Sequence, residues 1–259
     1  MPLFDAHCHL QDQRIFPDAE LFLQRAKEAG VEKMAVKGCA ESDWSRVIQL
    51  QKKHPDRLYM AFGLHPWFIK ERSIHWLECL EEKLLEYPDA SVGEIGIDHA
   101  FAGRNDADQE KVFLAQMKLA VRLNRPVTIH CRQAWGRLIK LLDQLEMLPP
   151  LLIHCFGGSV ETAQELLRRG AFISFSGTIT RPENKKARGV IRSIPANRLL
   201  LETDAPDLLP HNLPFSSSPT INQPAYLPFI LAHAAVLRGE SEEYLKKITF
   251  QNASQFFTP

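Results

Sequence analysis

Three short segments of the chain end apolar runs with side chains that commonly bind metal ions. They are His7-Cys8-His9 near the start, Glu94 within Val92-Gly93-Glu94-Ile95-Gly96, and Glu202-Thr203-Asp204-Ala205-Pro206 far downstream. Successive side chains of a β-strand point to opposite faces, so His7 and His9 face the same way and could hold one ion. A lone His-x-His is equally typical of two unrelated polar residues, so the metal prediction depends on the rest of the chain.

The strands that must position these residues alternate with helices. Eight short apolar runs predict strands at 3–7, 33–38, 58–63, 91–97, 127–131, 151–155, 171–175 and 199–202. Amphipathic stretches between them predict helices at 19–29, 43–53, 75–86, 109–123, 134–145 and 160–169. Repeated βα units require a parallel sheet, and eight of them predict an α/β fold with a closed (β/α)₈ TIM barrel. A doubly wound open sheet is the alternative.

Length and composition agree with one large domain and exclude several classes of protein. The chain has 259 residues, 45% of them hydrophobic, and we expect a single domain over residues 1–259. Basic and acidic residues both total 31, which excludes a global positive field for holding duplex DNA. The five cysteines match neither a disulfide framework nor a Cys-x-x-Cys zinc site, and neither a signal peptide nor a membrane-spanning run is present. We therefore expect a cytoplasmic protein that neither inserts into membranes nor needs an obligate protein partner.

The carboxyl ends of barrel strands carry the chemistry in this fold. The tips of the predicted strands hold His7, His9, His65, Glu94, His130, His154 and Asp204. Four of these histidines and the two carboxylates are too many ligands for one tetrahedral ion, but they suit two divalent cations that share a bridging carboxylate. Glu94 is the best candidate for that bridge. The predicted chemistry is hydrolysis by a metal-activated water.

The order of the strands divides these ligands into two groups. The first and last strands are neighbours in a closed barrel, so His7, His9 and Asp204 could frame one ion. His130 and His154, from strands five and six, could frame the other. Asp204 is also a candidate proton acceptor, because a carboxylate beside a metal and its water can take a proton from that water.

Six motifs together give the chain a specific resemblance to a known family. They are Phe4-Asp5-Ala6-His7-Cys8-His9-Leu10, Gly63-Leu64-His65-Pro66, Gly93-Glu94-Ile95-Gly96-Ile97-Asp98, Ile129-His130-Cys131-Arg132, His154-Cys155-Phe156-Gly157-Gly158 and Leu201-Glu202-Thr203-Asp204-Ala205-Pro206. With these motifs the chain resembles the TatD family of metal-dependent hydrolases, amidohydrolase-like barrels known for deoxyribonuclease activity.

The resemblance implies roles for particular residues. His7, His9, Glu94 and Asp204 would bind one divalent ion, and Glu94, His130 and His154 would bind the second. Both His65 and Arg132 would contact a substrate phosphate. The ligand types leave Zn²⁺, Mn²⁺, Mg²⁺, Co²⁺ and Ni²⁺ open. For Arg132 a salt bridge to a loop carboxylate is the alternative, and for His65 the alternative is a turn cap.

Two positions depart from the family pattern. The family commonly has serine at the position of Gly157, one before Gly158, and often has an aromatic or apolar residue at the position of Asp207. Trp67 is a candidate for stacking on an unpaired base. A basic patch of Lys185, Lys186, Arg188 and Arg192 is a candidate guide for a nucleic-acid backbone. The proline-rich segment 205–228 predicts an irregular loop beside the site. Within it, Asn222 and Pro224 match a late family motif, and the resemblance implies that they start the last barrel helix.

These observations predict a divalent-metal-dependent phosphodiesterase that acts as a 3′-end deoxyribonuclease on single-stranded or frayed DNA. The alternative enzyme is an amide, lactone or acyl-ester hydrolase, because the same ions polarise a carbonyl equally well. A second alternative is a non-catalytic binding module with a structural metal site. Structural zinc sites are closed tetrahedra without surplus ligands, which argues against that module.

Overall fold

Eight buried strands alternate with helices along the chain in a computed structural model that describes residues 1–214 and 220–258. The strands are β1 (Leu3–Cys8), β2 (Val31–Lys37), β3 (Leu58–Phe62), β4 (Ser91–Asp98), β5 (Val127–Arg132), β6 (Leu151–Ile153), β7 (Phe172–Phe175) and β8 (Leu199–Leu201). The α-helices in these residues are α1 (Ala19–Glu28), α2 (Trp44–Lys53), α3 (Trp76–Glu86), α4 (Asp106–Arg122), α5 (Trp135–Leu142), α6 (Val160–Arg168), α7 (Lys185–Ser193), α8 (Leu227–Arg238) and α9 (Glu242–Phe257).

All eight strands are parallel and pair in chain order from β1 to β8. The first and last strands meet at a seam that uses a side chain as well as the backbone. Asp5 accepts the Thr203 N–H at 2.9 Å, and the Asp204 N–H donates to the His7 carbonyl at 2.9 Å. The predicted TIM barrel is therefore confirmed, and the open-sheet alternative is wrong.

The predicted elements mostly agree with the structure, with differences at their ends. Strands β6 and β8 end two and one residues earlier than predicted, so His154 and Glu202, which were predicted inside strands, follow them. Helix α4 begins three residues earlier than predicted, because the Asn105 side chain accepts the Asp108 N–H and caps it there. Helix α1 ends before Gly30, whose φ of +80° is a conformation that favours glycine.

The proline-rich segment is only partly the irregular loop that its composition predicts. Residues 205–214 and 220–223 are irregular, and residues 215–219 lie outside the described part of the chain. From Pro224 onward the loop prediction is wrong, because a 3₁₀ turn at Pro224–Tyr226 leads directly into α8. That helix is followed by α9, so it is not the last one.

The remaining sequence-level expectations concern thiols and membranes. All five cysteines are free thiols in the structure. Within residues 1–214 and 220–258, every helix is too short or too polar to cross a bilayer.

Candidate metal centre

His7 and Glu94 reach the mouth of the barrel where strand pairing is irregular. The register between β1 and β2 shifts between residues 5 and 8, and the register between β4 and β5 shifts between residues 92 and 95. Such irregularities turn a side chain away from simple alternation. The two side chains meet at the carboxyl end of the barrel, where His7 Nε2 lies 3.2 Å from Glu94 Oε2.

The first group of ligand atoms comes from β1, β4 and the segment after β8. The Nε2 atoms of His7 and His9 are 3.0 Å apart. Glu94 Oε2 lies 3.2 Å and 3.4 Å from these two nitrogens, and Asp204 Oδ1 lies 3.4 Å and 3.3 Å from them. A backbone bond of 2.7 Å from His9 N–H to the Ala205 carbonyl holds the two ends together. The residues grouped from the sequence are thus neighbours in space.

The spacing of these four atoms fits a small divalent cation. Zinc bonds to nitrogen and oxygen are about 2.0–2.1 Å, and atoms at the corners of such a tetrahedron are about 3.3 Å apart. The distances of 3.0–3.4 Å match that edge. Two imidazole nitrogens and two carboxylate oxygens are also a donor set that zinc, manganese, cobalt and nickel accept.

The second group surrounds the other oxygen of Glu94. Glu94 Oε1 lies 3.0 Å from His130 Nδ1 and 2.7 Å from His154 Nε2, and these nitrogens are 3.3 Å apart. Each oxygen of one buried carboxylate therefore faces a separate pair of histidines. That is the placement of a bridging carboxylate between two ions.

Three of the four histidines in these groups have their second ring nitrogen against a hydrogen-bond acceptor. The pairs are His9 Nδ1 with the Lys37 carbonyl at 2.9 Å, His130 Nε2 with Asp98 Oδ2 at 3.1 Å, and His154 Nδ1 with Glu202 Oε1 at 3.3 Å. An acceptor there places the proton on the outer nitrogen and leaves the inner lone pair free for a metal. His7 differs, because its Nδ1 is buried without a partner among the described residues and its ring is oriented by stacking on His154, with centroids 4.0 Å apart.

His65 has the opposite arrangement. Its Nδ1 accepts the Trp67 backbone N–H at 3.2 Å, and its Nε2 lies 3.4 Å from Glu94 Oε1. A neutral imidazole that accepts at Nδ1 carries its proton on Nε2, so His65 presents a donor to the site. Burial lowers the pKa of His65 to about 4, which keeps the ring neutral at pH 7.

Glu94 and Asp98 stay ionised despite their burial. Burial alone would raise the pKa of Glu94, but attraction to His154, His65 and His7 outweighs it and holds the pKa well below its usual range. Burial would also raise the pKa of Asp98, but hydrogen bonds from His130 and Trp67 outweigh it and lower the pKa to about 2. These two ionised carboxylates supply negative charge that favours a bound cation.

An open cleft of about 1060 Å³ lies above the ligand groups. Arg132 lines this cleft from the end of β5. Among the described residues no carboxylate lies within 4.0 Å of its guanidinium, so the salt-bridge alternative is not found there. His65 also lines the cleft, and it is 4% exposed.

Only part of the predicted basic patch faces the cleft. Lys186, on the exposed side of α7, is among the residues that line it. Arg192 is committed elsewhere, because its Nε donates to the Leu237 carbonyl at 2.7 Å. The patch is thus a helix face that contributes Lys186 to the site.

The two departures from the family pattern have structural explanations. Gly157 lines the cleft, and a Cβ there would meet no atom within 4 Å, so a side chain fits. At Gly158 a Cβ would lie 2.3 Å from the Phe156 ring, so glycine is required. Asp207 is paired with Arg14 through two bonds of 2.8 Å and 2.7 Å, and Arg14 also pairs with Asp12, so its guanidinium compensates only part of the charge of these two carboxylates.

Two carboxylates of the site were not assigned from the sequence. Asp98 and Glu202 are both fully buried and bind the outer nitrogens of His130 and His154. Glu202 also accepts the Cys155 N–H at 2.7 Å. Their signal in the sequence is a carboxylate at the end of an apolar run, which is also the signal of the ligands themselves.

The comparisons with known proteins cover almost the whole chain. A family model described as TatD related DNase matches residues 4–258. The 3′-5′ ssDNA/RNA exonuclease TatD of Pectobacterium atrosepticum is 33% identical over 98% of this chain and 99% of that protein. An uncharacterized metal-dependent hydrolase, YabD of Bacillus subtilis, is 32% identical over 98% of each protein.

Solved structures agree with these sequence matches. The crystal structure of YJJV, a TatD homologue from Escherichia coli, superposes with a TM-score of 0.92 at 33% identity and covers 99% of this chain and 98% of that one. A TatD family hydrolase from Entamoeba histolytica has a TM-score of 0.89 at 21% identity over 100% of this chain and 99% of that one, which supports the fold alone.

Proposed function

The chain belongs to the TatD related DNase family, and on that premise we propose that it removes nucleotides from the 3′ end of single-stranded DNA. The prediction of a metal-dependent hydrolase of this family is confirmed by the family match and by relatives named as exonuclease and metal-dependent hydrolase. The relatives' name also includes RNA, so single-stranded RNA is a second substrate to test.

The observation that carries this proposal is the position of Glu94 between two pairs of histidines. We assign His7, His9, Glu94 and Asp204 to one divalent cation, and Glu94, His130 and His154 to a second. Cations held there polarise a phosphate oxygen and lower the pKa of water. The native metal stays open between zinc, manganese, magnesium, cobalt and nickel.

The remaining polar groups of the cleft act on the substrate. The Arg132 guanidinium, free of carboxylates, presents donors that clamp a phosphate. His65 donates its Nε2 proton toward a phosphate oxygen, because its Nδ1 is already an acceptor. Asp204 supplies one oxygen to the cation group, and as the more exposed of the two carboxylates it orients the attacking water.

A carbonyl substrate would use the same metal ligands but would not need basic side chains at the cleft. An amide or ester hydrolase gains nothing from Arg132 and Lys186 at the cleft, whereas a phosphodiester does. We therefore prefer a phosphodiester substrate to a carbonyl substrate. The free cysteines are compatible with a cytoplasmic location, which stays a prediction. The single domain over residues 1–259 also stays a prediction.

The experiment is degradation of single-stranded DNA and RNA labelled at the 3′ or the 5′ end. Chelated enzyme is refilled with Mn²⁺, Zn²⁺ or Mg²⁺ and compared with Glu94→Ala and with the control Glu86→Ala, whose side chain is 52% exposed on α3. We expect stepwise loss from the 3′ end that needs both metal and Glu94. Full activity of Glu94→Ala would refute the assigned role, and an inert wild type with metal bound would favour a carbonyl substrate.

A further inference from the structure

Trp67 exposes 42% of its surface in the cleft, directly beside the second ligand group. Aromatic side chains commonly line ligand clefts, and an exposed ring there can stack on a base. We propose that Trp67 is the platform on which a nucleobase next to the scissile phosphate stacks. This inference rests on the proposed function and adds which part of the substrate the enzyme recognises.

The Trp67 ring is held in place before any substrate arrives. Its Nε1 donates to Asp98 Oδ2 at 2.8 Å, and its ring lies nearly parallel to Phe101, with centroids 5.8 Å apart and planes at 20°. A separation of 5.8 Å leaves no room for a base between the two rings. The base must therefore stack on exposed Trp67 surface, and a fixed ring costs little entropy on binding.

The platform lies within one nucleotide of the ligand groups. The Trp67 ring centroid is 5.0 Å from that of His65 and 6.2 Å from that of His130. His65 Nε2 is in turn 3.4 Å from Glu94 Oε1. A phosphate bound at His65 is therefore close enough for the base of the same nucleotide to reach Trp67.

Trp67 also shares its hydrogen-bond acceptor with a proposed metal ligand. Asp98 Oδ2 accepts from Trp67 Nε1 and, at 3.1 Å, from His130 Nε2. The indole ring and the indole N–H therefore have separable roles. The ring binds the base, and the N–H makes Trp67 a positioning residue that holds the Asp98 carboxylate against His130.

The two roles are separated by Trp67→Phe, which keeps a ring without the N–H, and Trp67→Leu, which removes both. The substrates are single-stranded DNA oligonucleotides with adenine or an abasic site at either nucleotide flanking the cleaved bond. Stacking of one base is worth about 1–3 kcal/mol, which is about 5- to 150-fold in KM. We expect the wild type to prefer adenine over the abasic site by that factor, and Trp67→Leu to lose the preference.

Trp67→Phe should keep most of the preference for adenine but show a lower kcat, because Asp98 loses one donor. Ile74→Ala is the control, since Ile74 is 90% exposed and does not line the cleft. An unchanged preference in Trp67→Leu would overturn the platform.

Failure of the proposed function would give a different result, namely a metal-loaded wild type that cleaves none of the oligonucleotides. Tryptophan fluorescence then decides the platform by binding alone. Quenching by the adenine oligonucleotide, absent with the abasic one and in Trp67→Phe, would support it. Equal quenching in Trp67→Phe would overturn it.

Discussion

Asp98→Asn tests whether the acceptors behind the histidines control the second cation group. Asp98 Oδ2 accepts from His130 and Trp67, while Oδ1 accepts the Ala100 N–H at 2.8 Å. Asparagine has the same shape but only one acceptor oxygen. If that oxygen takes the Oδ2 position, the amide NH₂ faces the Ala100 N–H. In the other orientation the NH₂ faces His130 and Trp67, so one donor always meets another donor.

The expected effect is a selective loss of metal affinity. Substitution of a hydrogen-bond partner of a metal-binding histidine costs about 10–100-fold in affinity, which is about 1.4–2.8 kcal/mol. We expect this loss for the cation at His130 and His154, and less than about threefold for the cation at His7 and His9.

The assay is titration of metal-free enzyme with Zn²⁺ or Mn²⁺ against a competing chelator, which resolves two binding steps. Thermal unfolding of the metal-free variant shows whether the fold is intact. The control is Asp143→Asn, since Asp143 is 53% exposed and pairs with Arg169 on the outside of the barrel. Two unchanged binding steps in a folded Asp98→Asn variant would refute the assignment of His130 to the second cation.

Three further substitutions test the cleft and the strands beneath it. Gly157→Ser should change stability by less than about 0.5 kcal/mol. It should lower KM about fivefold, because the serine hydroxyl can donate to a phosphate, and a raised KM in steady-state assays would contradict this. Asp207→Asn weakens the hold on Arg14 and should lower KM about two- to fivefold at low salt, an effect that a salt series should abolish. Gly96→Ala puts a Cβ 1.9 Å from the His130 carbonyl, so denaturant unfolding should show a loss of about 1–3 kcal/mol, and unchanged stability would refute the close approach of β4 to β5.

A glycine elsewhere provides the matched control for the last of these variants. A Cβ on Gly136, in α5, would meet no atom within 4 Å. Alanine is the better helix former, so Gly136→Ala should leave stability equal or raise it by up to about 1 kcal/mol. The contrast between Gly96 and Gly136 separates the cost at this strand position, where the contact and a φ of +157° both oppose a side chain, from the general effect of alanine.

The barrel itself was predictable, because its signals are local. Apolar runs alternate with amphipathic stretches, and a parallel sheet of eight such units closes in one main way. The same local pattern placed His7, His9, Glu94 and Asp204 at strand ends, and a barrel brings strand ends together whatever the detail of pairing. Errors occurred where the signal is a cap or a turn, as at Asn105 and at Pro224–Tyr226.

Contacts between distant parts of the chain decide the role of each polar side chain in the site. His65 and His130 both lie at strand ends in the sequence, and only the structure shows that one accepts a backbone N–H and the other donates to Asp98. Asp98 and Glu202 look like ligands in the sequence but lie behind the histidines. Register shifts in β1 and β4 direct the side chains of His7 and Glu94 toward the carboxyl end of the barrel. Hydrogen bonds across strands depend on such shifts of one residue, which side-chain periodicity along a single strand does not encode.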